Sequence, residues 1–393
     1  MKLKKNYLIA IICKIIVIFS TFLISIFINR GLGVKLKGEY SYIINLVEIL
    51  YILGGLGLGQ SYATFKSREG KNIRNVFVSL SLLHGILTLI LGIILLPILN
   101  IKYGLIIVIL TALAVVRANL SIIAVIENSI LRNIISTSVN VFYLVLLIFF
   151  YLTKKCNLYT VLICYGLNEI LRSVIFLKKF KMFPYKEKAS IYKIKQIYKT
   201  GIITMVVTLL ISINYSIDTI MLKGLTNSYN VGLYSVAVTF SNMFLLIPDA
   251  FKEVMFGDST KKNFESQTAF TAIKVSLLAS VLILICFIFF GNFAISILYG
   301  KEYQSSFLLT IILFSGSLSM ILFKILHPIY IAKGLQNRAV LFLSLSAVIN
   351  IIMNIILIPI IGRYGAAISS AVSNTVCGLS FYLDYKRIER RID

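Results

Sequence analysis

Isolated charged residues interrupt the longest apolar stretches of this sequence, and they are the first candidates for chemistry. Lys14 lies within YLIAIICKIIVIFSTFLISIF (7–27), and Arg117 lies within GLIIVILTALAVVRANLSIIAVI (104–126). A charge at the centre of a membrane helix costs roughly 2.5–3.5 kcal/mol, so it is usually retained for a function. Because neither residue has an acid within one helical turn, we predict that Lys14 and Arg117 face an aqueous cavity and bind an anionic group. The alternative is that each side chain extends to the nearer membrane face and keeps only its charge in water.

Three further cations, Arg172, Lys274 and Lys324, lie closer to the ends of their apolar stretches. A long basic side chain at that depth reaches the membrane surface, so we predict this orientation for all three. Glu169 lies one helical turn before Arg172, which predicts a local ion pair between these two residues.

Two acids, Glu48 and Asp218, also lie within apolar stretches. A carboxylate in such a place binds H⁺ or Na⁺, or it neutralises a nearby cation and holds a closed conformation, and both interpretations stay open here. Asp249 follows Pro248 near the end of a stretch and is interpreted as structural. The five cysteines and two histidines show no spacing typical of a metal site. We therefore expect no metal site, no catalytic residue and no cofactor other than a coupling ion.

The composition requires a membrane around the elements that carry these residues. Apolar residues make up 59% of the 393-residue chain and charged residues 14%, whereas soluble domains average about 45–50% and about 25%. The apolar residues form blocks long enough to cross about 30 Å of hydrocarbon as helices. The sequence therefore predicts an all-α polytopic membrane protein. Its twelve predicted spans are 7–29, 40–62, 76–99, 103–126, 134–152, 158–178, 201–222, 232–255, 270–290, 306–330, 338–361 and 364–384.

Basic residues are distributed unequally between the two sides of these spans. With the N-terminus in the cytoplasm, 25 of the 39 Lys and Arg residues fall on the cytoplasmic side and nine on the outer side. The positive-inside rule favours this orientation, and an even number of spans then puts both termini in the cytoplasm. The net charge of +24 reflects this topology and attraction to anionic lipid headgroups. Nucleic-acid binding is not expected, because no basic folded face is available.

An internal repeat organises the predicted spans. The sequence GEYS (38–41) follows the first span, and GLYS (232–235) follows the seventh, 194 residues later. Both halves contain six spans and begin on the same side, which predicts a parallel repeat of the kind found in transporters. The predicted domains are an N-terminal six-helix bundle (1–178), a basic cytoplasmic linker (179–200) and a C-terminal six-helix bundle (201–393). The glycine-rich run GGLGLG (54–59) lies inside a span, which indicates close helix packing and not a nucleotide-binding loop.

Four ordered motifs resemble those of a known family. The stretch NRGLGVKLKGEYS (29–41) resembles the turn after the first helix of Wzx-type polysaccharide flippases. The stretches DTIML (218–222) and VGLYS (231–235) together are similar to the seventh-helix element of that family, and GKEY (300–303) resembles its turn before helix ten. NIILIPIIGRYGAA (354–367) is similar to the connection between its helices eleven and twelve. The motifs keep the family order and are spread over nearly the whole chain.

This resemblance implies a member of the multidrug/oligosaccharidyl-lipid/polysaccharide exporter superfamily. The implied fold has two six-helix bundles that form a V around a central cavity. The implied substrate is an undecaprenyl-pyrophosphate-linked oligosaccharide that moves from the cytoplasmic to the periplasmic leaflet of the bacterial inner membrane by alternating access. The product would be O-antigen (lipopolysaccharide) or capsule, and a polysaccharide polymerase is an implied partner. Lys14 and Arg117 would then contact the pyrophosphate, while Glu48 and Asp218 would serve coupling or gating.

Two other classes remain as alternatives. A membrane enzyme such as a sugar polymerase usually needs a large outer loop, whereas the longest predicted outer connection here has 15 residues (291–305). We therefore expect that the protein is not an enzyme. A cation-coupled multidrug exporter shares the implied fold and is the stronger alternative, although the deep charges of this chain are more often basic than acidic.

Overall fold

The computed structural model describes residues 2–69, 73–184, 189–249, 251 and 266–390. Within these ranges the regular structure is helical and no residue lies in a strand. The main helices are α1 (Lys2–Gly55), α2 (Leu58–Glu69), α3 (Ile73–Leu99), α4 (Gly104–Leu152), α5 (Leu158–Lys179), α6 (Ile191–Leu225), α7 (Ser228–Phe244), α8 (Ser266–Leu298), α9 (Ser306–Ala332), α10 (Gln336–Ile361) and α11 (Arg363–Glu389). A short 3₁₀ turn, Lys301–Tyr303, precedes α9.

Two of the helices are about twice as long as a membrane span, and each contains one non-helical residue. Gly33 divides α1 with φ 68° and ψ 170°, a left-handed conformation that glycine adopts without steric cost. Asn128 divides α4 with φ −160° and ψ 97°, and its side-chain oxygen accepts a hydrogen bond from the Leu131 amide at 3.0 Å. This contact caps the second half of α4. We count α1 and α4 as two segments each, and we join α2 to the second half of α1. The described helices then give twelve segments, the number that the sequence predicts.

Apolar side chains on the outside of the helices identify the surrounding medium. Nine of the described helical stretches are long and apolar enough to cross a membrane. On α8, Phe289, Phe290 and Phe293 each expose 67–75% of their surface. Exposed apolar surface on this scale is unfavourable in water but suits lipid. The structure therefore confirms the prediction of an all-α polytopic membrane protein.

The chain divides into two compact units. The first unit consists of residues 1–32 and 43–209, and the second consists of residues 33–42 and 210–393. These limits differ from the predicted domains, because residues 33–42 group with the second unit and the first unit extends past the predicted linker to residue 209. The helix α6 begins at Ile191, inside that linker. Part of that linker, residues 185–188, lies outside the described residues. The arrangement of two bundles as a V around a central cavity stays a prediction.

The glycine-rich run (54–59) lies where the second span is interrupted. Leu56 and Gly57, between α1 and α2, both have positive φ, at 46° and 65°. A Cβ atom on Gly57 would lie 2.0 Å from the carbonyl oxygen of Gly201 on α6. Only glycine allows this approach between two backbones. The prediction that the run serves helix packing is therefore confirmed.

The two copies of the repeated motif contact each other inside the second unit. A Cβ atom on Gly38 would lie 2.9 Å from the amide nitrogen of Gly232 and 1.7 Å from the carbonyl oxygen of Ser228. One on Gly232 would lie 2.0 Å from the carbonyl oxygen of Val34. Glu39, from the first copy, accepts hydrogen bonds from Ser228 at 2.7 Å and from Lys223 at 2.9 Å. The segment 33–42 is thus held against α7 by close backbone packing and by an ion pair.

Candidate functional site

The structure places the predicted site residues in two environments. Lys14, Glu48 and Arg117 belong to the first unit, and Asp218 belongs to the second. Arg117 lines a cavity, whereas Lys14 and Glu48 are not among the described residues that line it. Lys14 and Glu48 are each half-buried on α1. The first unit therefore brings one of its three predicted residues to a cavity wall.

The cavity in the first unit is polar and cationic. It has a volume of about 170 Å³, well above the roughly 10–15 Å³ that one water molecule needs on the same measure. The guanidinium groups of Arg117 and Arg132 line it, and none of the described lining residues is acidic. A buried space with these properties attracts anions. Its other polar lining residues are Tyr51, Gln60, Asn119, Ser121 and Thr208.

Arg117 has an acidic partner on another helix. Its Nε atom donates to Oε2 of Glu169, on α5, at 2.7 Å. The predicted pair between Glu169 and Arg172 is therefore wrong, and Arg172 instead donates to Oδ1 of Asn168 at 3.2 Å. The sequence compared only residues one turn apart on the same helix, whereas the packing of α4 against α5 decides which arginine reaches the acid.

A second cation also differs from its predicted environment. Lys324 donates to both carboxylate oxygens of Asp249 at 2.7 Å, and its side chain is 10% exposed. The prediction that Lys324 extends to the membrane surface is therefore wrong, because a carboxylate is available within the second unit. Lys274 is exposed, and its orientation towards the membrane surface stays a prediction.

Asp218 lies at the centre of a hydrogen-bond network in the second unit. The residue is 2% exposed. Its carboxylate accepts hydrogen bonds from the amide nitrogens of Asn350 and Asn354 at 2.9 and 2.6 Å. The hydroxyl of Tyr234 donates at 3.2 Å, and that of Ser370 donates as well. All four donors are neutral, and no basic side chain contacts this carboxylate within the described part of the chain.

A cavity of about 30 Å³ adjoins this network, with Asp218, Asn214 and Ser370 in its wall. Neutral donors stabilise the ionised form of a buried carboxylate without neutralising its charge. The space beside Asp218 is large enough for a water molecule or a small cation. This arrangement is compatible with the reversible binding of H⁺ or Na⁺.

The same helix pairing occurs in each unit. In the first unit, Asn140 of the fifth span donates to Ser20 of the first span at 2.7 Å. In the second unit, Asn350 of the eleventh span donates to Asp218 of the seventh. The two asparagines come from the short pattern that the fifth and eleventh spans share, SVNV (138–141) and AVINI (347–351).

Sequence reasoning missed most of the residues that surround these sites. Arg132 follows the break at Asn128 near a predicted cytoplasmic end, where the sequence indicates only topology, and Asn119 is an uncharged residue within an apolar span. On α10, Asn350 and Asn354 lie four residues apart in an apolar span. Because residues at this spacing share one helix face, the pair could have been identified as a polar partner for Asp218.

The fold and the two sites define a class, a polytopic helical membrane protein with two polar sites among its helices. Among solved structures, the lipid II flippase MurJ in an inward closed conformation is similar, with a TM-score of 0.78 and 15% identity over 96% of this chain and 87% of the other. An inward-facing multidrug resistance MATE family transporter of the MOP superfamily is also similar, with a TM-score of 0.74 and 14% identity over 97% and 98% of the two chains. Likeness at this level of identity shows the fold.

Family membership follows from the sequence match. The family described as polysaccharide biosynthesis protein matches residues 3–248, and the chain belongs to this family. The capsular polysaccharide biosynthesis protein CapF of Staphylococcus aureus is 27% identical over 223 residues, which are 54% of this chain and 55% of that protein. The match thus spans about half the length of this curated relative. The resemblance described from the motifs is confirmed at the level of the family.

Proposed function

We propose that this protein is a flippase that moves undecaprenyl-pyrophosphate-linked oligosaccharide units from the cytoplasmic to the periplasmic leaflet by alternating access. The units would supply the synthesis of a surface polysaccharide, either O-antigen or capsule. The observation that carries the proposal is the cavity lined by Arg117 and Arg132 inside an apolar helical bundle. The family and the capsular relative support the polysaccharide pathway.

The physical problem of this reaction matches the properties of the chain. Two phosphates and several sugar hydroxyls cannot cross hydrocarbon unaided, since each unsatisfied polar group costs several kcal/mol there. A cationic, hydrated path lowers this barrier while the prenyl chain remains in lipid. We assign Lys14 and Arg117 to contacts with the pyrophosphate. For Lys14 the grounds are its depth and its charge, and for Arg117 they include its position in the cavity wall.

Ion coupling is assigned to Asp218, with Glu48 as a further coupling or gating candidate. The neutral hydrogen-bond network and the adjoining cavity support Asp218 as a site for H⁺ or Na⁺. Binding of a cation would change the charge of a carboxylate that is 2% exposed, and such a change favours one packing of the surrounding helices over another.

The location and partners follow from the same proposal. The protein would lie in the bacterial inner membrane with both termini in the cytoplasm, in contact with anionic lipids. A polysaccharide polymerase would take up the flipped units on the periplasmic side. No catalytic residue and no nucleic acid take part in this scheme.

A cation-coupled multidrug exporter is the second candidate, and the Asp218 network favours it as much as it favours a flippase. Cationic drugs would require acids in the transport cavity, whereas the cavity of the first unit has two arginines in its wall. Drug susceptibility separates the candidates, since loss of an exporter would sensitise cells to cationic drugs and loss of a flippase would change the cell surface.

Deletion of the gene tests the proposed function. We expect loss of the surface polysaccharide and accumulation of undecaprenyl-linked units on the cytoplasmic leaflet. Complementation with Lys14→Arg should restore much of the polysaccharide, and Lys14→Glu should not, because a carboxylate repels the pyrophosphate. Each variant is compared at equal membrane level. Polysaccharide of normal length and amount in the deletion strain would contradict the proposal, and full activity of Lys14→Glu would remove Lys14 from the site.

A further inference from the structure

The interruption between α1 and α2 forms part of the cavity wall in the first unit. Gly55 and Gly57 line this cavity together with Gln60, in the first turn of α2. The α2 helix has 12 residues, and the amides of its first turn have no partner within the helix. The N-terminus of a half-helix carries a partial positive charge, and broken membrane helices use it to bind anions.

Asn119 provides a second and independent indication of a ligand. This residue is 4% exposed, and its Oδ1 atom accepts a hydrogen bond from the Gly59 amide at 3.0 Å. That contact fixes the side chain against the start of α2, at the wall of the cavity. Its Nδ2 atom is buried and has no hydrogen-bond partner. A buried donor without an acceptor costs about 1–3 kcal/mol, so an acceptor is expected inside the cavity.

The two arginines have hydrogen-bond capacity that the protein does not use. Arg132 donates from Nε and NH2 to Ser121 and from NH1 to Asn133, and no carboxylate pairs with it in the described ranges. Arg117 uses Nε for Glu169, while its other two nitrogens have no acceptor there. A guanidinium group has five N–H donors arranged as a fork that matches phosphate oxygens.

We propose that this cavity is a binding site for a phosphate group, held by Arg132, Arg117 and the free amide of Asn119 near the N-terminus of α2. The proposal rests on the proposed function and adds Arg132 and Asn119 to it. Water alone would satisfy Asn119, but of the two arginines only Arg117 has a carboxylate partner among the described residues, Glu169. A phosphate supplies both the acceptor oxygens and the negative charge that the cavity lacks.

The same chemistry has two sources in a membrane, a polyprenyl diphosphate and the headgroup of a glycerophospholipid. Purified full-length protein in detergent is therefore titrated with undecaprenyl diphosphate, with phosphatidylglycerol and with undecaprenol, which lacks phosphate. Binding is measured by native mass spectrometry. Variants that remain monodisperse, with a Tm close to that of the wild type, enter the comparison.

Two substitutions change the site with little change of shape. Arg132→Gln removes one guanidinium group. Asn119→Asp keeps the oxygen that accepts from Gly59 and replaces the free donor by a carboxylate oxygen. We expect each to weaken binding of undecaprenyl diphosphate at least tenfold, which corresponds to about 1.4 kcal/mol, while binding of undecaprenol does not change. Arg132→Lys should retain part of the affinity. The matched control is Arg338→Gln, at an exposed arginine that pairs with Asp384 in the second unit, and it should change affinity less than twofold.

The outcomes separate this proposal from the proposed function. If wild-type protein binds undecaprenyl diphosphate and neither variant weakens binding, the phosphate site is wrong and the flippase proposal stands. If wild-type protein binds phosphatidylglycerol more tightly than undecaprenyl diphosphate, and both variants abolish that binding, the phosphate site is correct. Its occupant is then a lipid headgroup, which contradicts the assigned substrate. If no phosphate-containing lipid binds better than undecaprenol, both proposals fall.

Discussion

The buried acid Glu169 pairs with Arg117 and not with Arg172. Replacing Arg117 or Glu169 with glutamine tests this assignment. Glu169 is 2% exposed and accepts from Arg117 Nε at 2.7 Å, while the Arg117 side chain is 21% exposed. Removal of one partner from a buried pair costs about 3–5 kcal/mol. Because the cavity lets water reach Arg117, we expect Arg117→Gln to destabilise the protein by about 3 kcal/mol, at the lower end of that range. Most of this cost comes from the acid that is left buried.

A double-mutant cycle isolates the pair itself. The coupling free energy between positions 117 and 169 should be about 1.5–3 kcal/mol, as for a hydrogen bond between charged groups. The coupling between Glu169 and Arg172 should be less than about 0.5 kcal/mol, since Arg172 donates to Asn168 instead. Unfolding of each purified variant in mixed micelles, titrated with SDS, gives the free energies. A larger coupling for Arg172 than for Arg117 would refute the helix packing described here.

Three further predictions follow from the fold and the sites. Asp218→Asn should lower gradient-driven flipping in proteoliposomes by about tenfold, within the range typical of coupling free energies, and an unchanged response to the gradient would exclude Asp218 from coupling. Gly38→Ala places a Cβ atom 1.7 Å from a carbonyl oxygen of α7 and should lower the free energy of unfolding by about 1–3 kcal/mol. In the control Gly224→Ala the new Cβ atom meets nothing within 4 Å, and the change should stabilise α6 by up to about 1 kcal/mol. Equal thermal stability of the two variants would contradict the contact at Gly38. Reporter fusions after Asp393 and Lys155 should report cytoplasm and periplasm, and a periplasmic C-terminus would contradict the predicted topology.

Features that depend on local sequence could be predicted. The length and spacing of the apolar blocks indicate twelve helical segments, and the bend at Gly33 lies at the predicted turn after the first span. The packing role of the glycine-rich run (54–59) follows from small residues inside a span. Both properties depend on residues close together in the chain, so a single sequence contains the necessary information.

Contacts between helices could not be predicted in the same way. Glu169 pairs with Arg117, 52 residues away, and Lys324 pairs with Asp249, 75 residues away. The rotation of each helix about its axis decides these partners. In a membrane helix the side that faces lipid and the side that faces protein are both apolar, so the sequence pattern gives little information about that rotation. Arg132 was missed for a related reason, since its side chain reaches Ser121 across the break at Asn128.

The boundary between the two units is a further feature that the sequence does not predict. The sequence places it in the basic segment 179–200, because charge and polarity are highest there. In the structure, residues 33–42 group with the second unit although both flanking segments belong to the first. Close contact between Gly38 and α7 produces this grouping, and no change in composition marks it.

Transbilayer movement of the lipid-linked substrate is the most direct test of the central claim. Purified protein is reconstituted into vesicles that contain a fluorescent oligosaccharide linked to undecaprenyl pyrophosphate, and a membrane-impermeant quencher reports the fraction in the outer leaflet. The account predicts that wild-type protein exchanges the lipid between leaflets, that Arg117→Gln and Arg132→Gln slow the exchange, and that Arg338→Gln does not. Exchange no faster than in protein-free vesicles, under Na⁺ and H⁺ gradients of either direction, would contradict the account.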